Sequence, residues 1–280
     1  NITPEMKIAY QGVAGSYSES CAIEKYPDCE TIPCKTFDDC FEKANRDSSI
    51  KAIIPESNKT TGNIGVEYLI FKYRLNIFAE HFFPINHNLL GIPGSKISDI
   101  KEVYSHAQAL SQSSIFIKKN KFNENVRADT AGSAKYISEA GDKSKAAISS
   151  KLSANIYNLK ILDTNIQDEK ENVTRFLIMQ KDIFQPELKN KKYITSLLFK
   201  LKSKAGALYS ALGSFTLNGV NLTKLQSFPE KSSFSSYFFL CELDGHIEET
   251  KVKNSLEELG LHCDDMHVLG VFESDKYRDK

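Results

Sequence analysis

Apolar and polar positions in the first two thirds of the chain follow a repeated order of buried strand, polar loop and helix. Residues 7–10 read as a short strand, 12–18 as a glycine loop and 19–26 as a helix. An amphipathic helix follows at 38–41, and 52–55 reads as a second buried strand. The polar stretch 56–64 enters a helix over 68–73, after which strands at 75–83 and 86–92 carry the chain into a second lobe. Pro93-Gly94 is a turn, the strand 103–106 ends in a polar tip, and 108–118 is helical. Residues 126–134 and 146–157 repeat the strand-loop-helix order. Such alternation predicts a parallel sheet that binds ligands at the carboxyl ends of its strands. Polar tips at successive strand ends predict a cleft between two lobes.

The pattern changes near residue 191. Leu197, Phe199 and Leu201 alternate as a strand, and Leu208, Ala211, Leu212 and Phe215 fall at helical spacing. Residues 219–225 and 237–243 are further strands, the second closed by Asp244-Gly245. Val252, Leu256 and Leu259 mark another helix, and 266–272 a last strand. That order, β-α-β-β-α-β, is ferredoxin-like. The polar segment before it, which contains Pro186, predicts a linker at 183–192.

Composition narrows the chemistry. The 280 residues carry 36 basic and 36 acidic side chains, so no net charge favours nucleic acid or an anionic membrane surface. No apolar run reaches the roughly 20 residues that span a bilayer. The six cysteines, Cys21, Cys29, Cys34, Cys40, Cys241 and Cys263, form no C-x-x-C pair and read as reduced thiols, with a Cys29–Cys34 bridge as the alternative. The chain starts at Asn1 and not at Met, so it reads as a trimmed product whose targeting segment lies outside it.

The candidate chemistry centres on Asn172-Val173-Thr174-Arg175-Phe176, at the head of the apolar run Leu177-Ile178-Met179. Arginine offers a planar fork of donors that matches a carboxylate, and the neighbouring threonine offers a hydroxyl for a leaving oxygen. Taken alone, the pentapeptide also reads as a strand edge with an exposed Thr-Arg pair. The glycine loop that opens a helix at Tyr17-Ser18 adds a second anion-binding element, because free N–H groups and the helix dipole both favour negative charge.

Several motifs then occur in a meaningful order: Gly12-x-x-Gly15-Ser16-Tyr17-Ser18, Ser105-His106-Ala107-Gln108-Ala109, Asp129-Thr130-Ala131, Ile166-Gln167-Asp168 and the pentapeptide. Ala205-Gly206-Ala207-Leu208-Tyr209 and Gly219-Val220-Asn221-Leu222-Thr223 follow. Together they resemble the prephenate dehydratase family, including its plant-type arogenate dehydratase branch, over residues 7–272. The resemblance implies a two-lobed, periplasmic-binding-protein-like α/β domain at 6–182. One lobe spans about 6–82 and 165–182, the other about 83–164. A ferredoxin-like ACT regulatory domain at 193–275 follows the linker. It implies a carbon–oxygen lyase of phenylalanine biosynthesis that converts prephenate to phenylpyruvate, or arogenate to phenylalanine, with loss of carbon dioxide and water. Thr174 would donate to the departing hydroxyl and Arg175 would clamp a carboxylate, with Phe176 beside them. Tyr17, Ser18, Asn58, Lys59, Ser105, His106, Gln108, Thr130 and Asn172 would bind substrate. Phenylalanine, as effector, would bind at Gly206, Ala207, Leu208, Asn221 and Leu222. The resemblance implies no metal or organic cofactor, a homodimer or homotetramer, and the cytosol or a plastid stroma as compartment.

Two stretches depart from the family's pattern. Its P-I-E-N-S-x-x-G reads Pro55-Glu56-Ser57-Asn58-Lys59-Thr60-Thr61-Gly62, which moves the glutamate by one position and adds a cation at Lys59. On an extended backbone, one position is the opposite face. Its E-S-R-P reads Gln226-Ser227-Phe228-Pro229, which predicts weakened or altered feedback control. The first change motivates an alternative of another class, a catalytically impaired amino-acid-binding or sensing protein. A solute-binding protein of the same lobed fold is a third reading, disfavoured by the ACT-like tail. His106 at a strand tip reads either as a loop-positioning residue or as a substrate contact. His262-Cys263-Asp264-Asp265-Met266-His267 holds metal-ligand types but reads as a loop entering a strand.

Overall fold

A computed structural model of the chain describes residues 5–231 and 233–280. Two compact units result, one holding the residues up to Lys43, Ser49–Ile64 and His81–Phe176, the other Ala44–Ser48, Gly65–Glu80 and Leu177–Lys280.

The chain opens with β1 (Lys7–Gln11), α1 (Tyr17–Lys25), β2 (Glu30–Cys34), α2 (Phe37–Arg46), β3 (Ile50–Asn58), β4 (Gly62–Asn63), α3 (Glu67–Tyr73) and β5 (Asn76–Pro84). These strands and a late one, β11 (Val173–Gln180), form a sheet in the order β2-β1-β3-β11-β5, with β4 folded back on β3. The hydrophobic pattern misses β2, whose Thr31 and Pro33 break any apolar run. It lies at the sheet edge, where the N–H that Pro33 lacks is least needed. The strand predicted at 52–55 is longer, and it carries Glu56, Ser57 and Asn58 on the ladder instead of in a loop. β11 is buried along its whole length, as its apolar run predicts.

Between β5 and β11 lies the second lobe: β6 (Asn88–Gly91), β7 (Glu102–Ser105), α4 (Ala107–Gln112), α5 (Ser114–Asn120), β8 (Asn123–Val126), α6 (Thr130–Ala140), β9 (Lys145–Ser149), α7 (Lys151–Ile156) and β10 (Lys160–Asp163). Its sheet order is β10-β6-β9-β7-β8. β7 runs parallel to β8 and β9, but β6 runs antiparallel to both its neighbours, so the sheet is mixed where alternation predicts parallel strands. The helix expected over 108–118 is two, broken at the buried Ser113. Both faces of this sheet are covered. Leu89, Val103 and Ile148 pack with Leu110 and Ile117, while the alternate positions Leu90, Tyr104 and Ala147 pack with Ala134 and Ile137.

After residues 181–192, which form neither helix nor strand, come β12 (Tyr193–Leu201), α8 (Ala207–Leu217), β13 (Leu222–Pro229), β14 (Tyr237–Asp244), α9 (Thr250–Gly260) and β15 (Cys263–Glu273). The antiparallel order β13-β14-β12-β15 is that of a ferredoxin-like sheet. Leu197, Phe199, Cys241 and Leu243 on one face pack with Ala211 and Phe215 of α8 and Val252 and Leu259 of α9. Phe228 and Phe238 are cross-strand partners, stacked with ring centres 6.0 Å apart, and Phe71 of α3 lies 4.5 Å from Phe238. All six cysteines are free thiols. Among the described residues, no helix is long and apolar enough to cross a membrane.

Candidate active site

A cavity of about 440 Å³ lies in the first unit, walled by both lobes. One lobe contributes Tyr17 and Ser18 at the start of α1, Asn58 at the end of β3, and Thr174 and Phe176 on β11. The other contributes His106, Gln108 and Thr130 at the starts of α4 and α6. Strand alternation turns Thr174 and Phe176 into the cavity and Arg175 away from it.

The polar groups are joined in one chain of hydrogen bonds. Asn58 donates from Nδ2 to Thr174 Oγ1 and to Asn172 Oδ1, each at 2.8 Å. Its Oδ1 accepts from the Thr60 hydroxyl at 2.7 Å and from the Thr60 and Thr61 N–H groups at 2.9 and 3.2 Å, which fixes the amide's orientation. Thr174 therefore accepts from Asn58 and keeps its own proton to donate. Asn172 Nδ2 donates to Gln112 Oε1 at 3.2 Å, and His87 Nε2 lies 2.8 Å from the same oxygen. An acceptor there assigns the proton to Nε2, so Nδ1 accepts from the Tyr17 hydroxyl at 2.6 Å. Burial lowers the His87 pKa, holding the ring neutral, and raises that of Tyr17, holding the phenol protonated.

Other predicted residues lie elsewhere. Arg175 Nη1 sits 3.2 Å from Glu56 Oε2, both side chains buried, and Ser57 donates to the same oxygen at 2.6 Å. The guanidinium expected to clamp a substrate carboxylate is thus held by the chain's own carboxylate, behind the cavity wall. Lys59 does not line the cavity either, because it pairs with Glu171 at the surface. Ser105 is fully buried and donates to the Ile148 carbonyl at 2.6 Å, tying β7 to β9. His106 lines the cavity as the cap of α4, where Nδ1 accepts from the Gln108 N–H at 3.1 Å.

Besides the start of α4, two helix starts face the cavity. Around the glycine loop, the N–H groups of Gly12, Gly15, Ser16 and Glu19 are taken by Cys34 O, Glu19 Oε1, Val13 O and Ser16 Oγ. Those of Tyr17 and Ser18 remain, as the first turn of a helix requires. At α6, Asp129 caps the Gly132 N–H and leaves Thr130 and Ala131, which both line the cavity. Near the loop the lobes touch: Ser150 Oγ donates to Gly15 O at 2.5 Å and the Tyr157 hydroxyl to Ala14 O at 2.6 Å. Gly15, at φ +97°, is needed here, since a Cβ would stand 2.7 Å from Ser153 Cβ.

In the second unit, Gly206 caps α8, and Gly206, Ala207 and Leu208 line a shallow depression. Asn221 donates to Asp244 Oδ2 at 2.8 Å, and Leu222 begins β13. The two groups lie at opposite ends of α8, whose 11 residues span roughly 16 Å, so one chain does not bring them together. Of the 262–267 stretch, all but His262 lies on β15, where Asp265 pairs with Arg74 at 3.2 Å.

Sequence reasoning missed His87 and Gln112, and it left Asp129 without a role. Gln112 was legible, four residues beyond Gln108 on the same helical face. His87 had only a polar setting, Asn86-His87-Asn88, before an apolar strand.

The prephenate dehydratase family model matches residues 8–183. The arogenate dehydratase/prephenate dehydratase 1 of Arabidopsis thaliana, a chloroplastic protein, is 35% identical over 289 residues, covering 98% of this chain and 74% of its own length. A solved structure described as GqqA, a novel type of quorum quenching acylase, is 33% identical with a TM-score of 0.91, over 97% of this chain and 99% of that one. The prephenate dehydratase of Arthrobacter aurescens in complex with L-Phe is 26% identical with a TM-score of 0.85, over 96% and 90% of the two chains.

Proposed function

The chain belongs to the prephenate dehydratase family, and from that premise we propose that it converts prephenate to phenylpyruvate, or arogenate to phenylalanine. The ring carboxylate leaves as carbon dioxide, its C–C electron pair enters the ring, and the C–O bond across the ring breaks. The departing hydroxide takes a proton and leaves as water. Aromatisation drives these steps, so the protein has to hold the acid and assist the leaving oxygen. Thr174 does the latter as general acid. The observation that carries this reading is the Asn58–Thr174 hydrogen bond, which leaves the threonine proton free to face the leaving group. The neutral chain from Tyr17 through His87, Gln112 and Asn172 keeps Asn58 in place, a preorganised arrangement that water would have to build each time.

The two substrate carboxylates are held by the N–H groups of Tyr17 and Ser18 and of Thr130 and Ala131, with His106 and Gln108 beside them. The Phe176 ring packs on the substrate ring. Arg175 acts as a positioning residue through Glu56, and Ser105 by fixing the strand before His106. Asn58 keeps its place in the network despite the altered loop, which favours the enzyme over the impaired sensor.

Residues 193–275, which lie within the second unit, are read as an ACT domain, joined by the linker 183–192 to a dehydratase domain at 6–182. Phenylalanine would bind it where Gly206–Leu208 of one copy meets Asn221 and Leu222 of another, in a homodimer or homotetramer. The chloroplastic relative supports a plastid as compartment, with the cytosol as the alternative.

Turnover of prephenate and arogenate, offered separately and followed as phenylpyruvate and phenylalanine, tests the reading. Thr174→Ala is expected to lose about 10²- to 10⁴-fold in kcat. Silence of the folded wild-type chain with both acids, while it still binds an aromatic acid, would replace the enzyme with the sensor.

A further inference from the structure

A cluster of aromatic and cationic groups lies outside the cavity, where α6 covers one face of the second lobe's sheet. Tyr104 of β7 and Tyr136 of α6 pack with ring centres 5.1 Å apart. Lys145, the first residue of β9, donates from Nζ to the Tyr136 hydroxyl oxygen at 2.9 Å. Arg127, which follows β8, lays its guanidinium over the Tyr136 ring at 4.2 Å. Among the described residues, neither cation has a carboxylate within ion-pair distance.

The two phenols are held in opposite ways. Tyr104 is buried and its hydroxyl donates to Glu102 Oε2 at 2.8 Å, so burial and the carboxylate push its pKa up to about 12. Tyr136 is only half-buried, and an ammonium N–H already points at its oxygen. The guanidinium charge lies over the same ring, and both cations, otherwise without an anion, favour the phenolate. The Lys145 hydrogen bond, its charge and that of Arg127 together lower the Tyr136 pKa against the raising effect of burial. Tyr157, the other phenol packed on this cluster, gives its proton to Ala14 O at 2.6 Å.

We propose that Tyr136 is a nucleophilic modification site that accepts an acyl group from an activated acyl donor. The phenolate oxygen attacks the carbonyl carbon, and the bond from that carbon to the leaving group breaks with its electron pair. The leaving group takes up one proton, which balances the proton that the phenol gave to solvent. The product is an aryl ester, which can no longer carry the negative charge that Lys145 and Arg127 favour. The inference stands whichever acid the cavity takes, and whether or not the chain is a dehydratase.

The test treats the wild-type chain with limiting N-acetylimidazole near neutral pH and ranks the tyrosines by peptide mass spectrometry. Exposure alone puts Tyr209 and Tyr68 first, at 87% and 63% exposed. The inference puts Tyr136 ahead of both, with a label that hydroxylamine releases, as it does an ester and not a lysine amide. Lys145→Met keeps an unbranched stem and removes the charge, and should drop Tyr136 behind Tyr209. Arg127→Gln should slow its labelling less. An order set by exposure in the wild type, or a lead that survives Lys145→Met, overturns the inference. Spectrophotometric titration of the phenols gives a second reading, in which the difference between the wild type and Tyr136→Phe isolates this group. A midpoint below the ordinary value of about 10 supports the inference, and one at or above it overturns it. The ranking is made on the wild-type chain, so it decides the matter even if a variant fails to fold.

Discussion

The two stretches that depart from the family's pattern, 55–62 and 226–229, meet the loss of their usual residues in different ways. In the first, polar contacts persist because β11 and the residue before it supply partners: Glu56 finds Arg175, and Asn58 finds Thr174 and Asn172. In the second, Phe228 stands where the family's arginine would, and it stacks on Phe238 beside Phe71. An aromatic face stands where the family's pattern has a charged pair. A motif change therefore has no fixed meaning on its own strand. Its consequence depends on what the neighbouring strand and helix offer at that position.

The largest effect should come from breaking the compensation in the first stretch. Arg175→Ala leaves Glu56 buried without its ion-pair partner, a change expected to cost about 3–5 kcal/mol. Lys59→Ala, in the same stretch, removes a surface pair with Glu171 and should cost about 0–1 kcal/mol. Urea unfolding of both variants measures the contrast. Equal losses would mean that burial does not distinguish the two pairs.

Legibility followed the same division. The lobes, the ferredoxin-like order and Thr174 could be read because strand and helix periods and a fivefold run of specific residues are local properties. The fate of Arg175 could not, because its partner Glu56 is 119 positions away and comes within reach only through the pairing of β3 and β11. His87 was hidden for the same reason, since its partners Tyr17 and Gln112 are brought to it by two other elements. The one-residue displacement of glutamate points it, on an extended backbone, to the opposite face. In the structure the displaced carboxylate is the one that meets Arg175.

In the second stretch the expected effect is smaller. Phe228 is half-buried, and Phe228→Ala removes two ring contacts, at 6.0 and 5.9 Å, worth about 0.5–1.5 kcal/mol each at most. Differential scanning calorimetry should record a lowered Tm. An unchanged Tm would mean that the aromatic face is incidental packing and that the exchange of polar for aromatic contact stabilises nothing.

The smallest effect concerns pH and returns to the comparison through histidine. His87 at the site and His267 on β15 both titrate below the ordinary value of 6.5, His87 through burial and His267 through burial and the Arg74 charge. The sign follows from proton counting. As pH falls below about 6.5, the unfolded chain takes up protons that the folded rings refuse until their lower pKa values are reached. Stability therefore falls over that window and is unaffected by these two groups above it. Urea unfolding at pH 7.5 and pH 5.5 should show the loss, and His87→Asn should remove the share that belongs to the site. A slope unchanged in His87→Asn would assign the loss to His267. The polar chain from Tyr17 to Thr174 would then tolerate a charged imidazole, and the neutral His87 on which its hydrogen-bond directions depend would have to be abandoned.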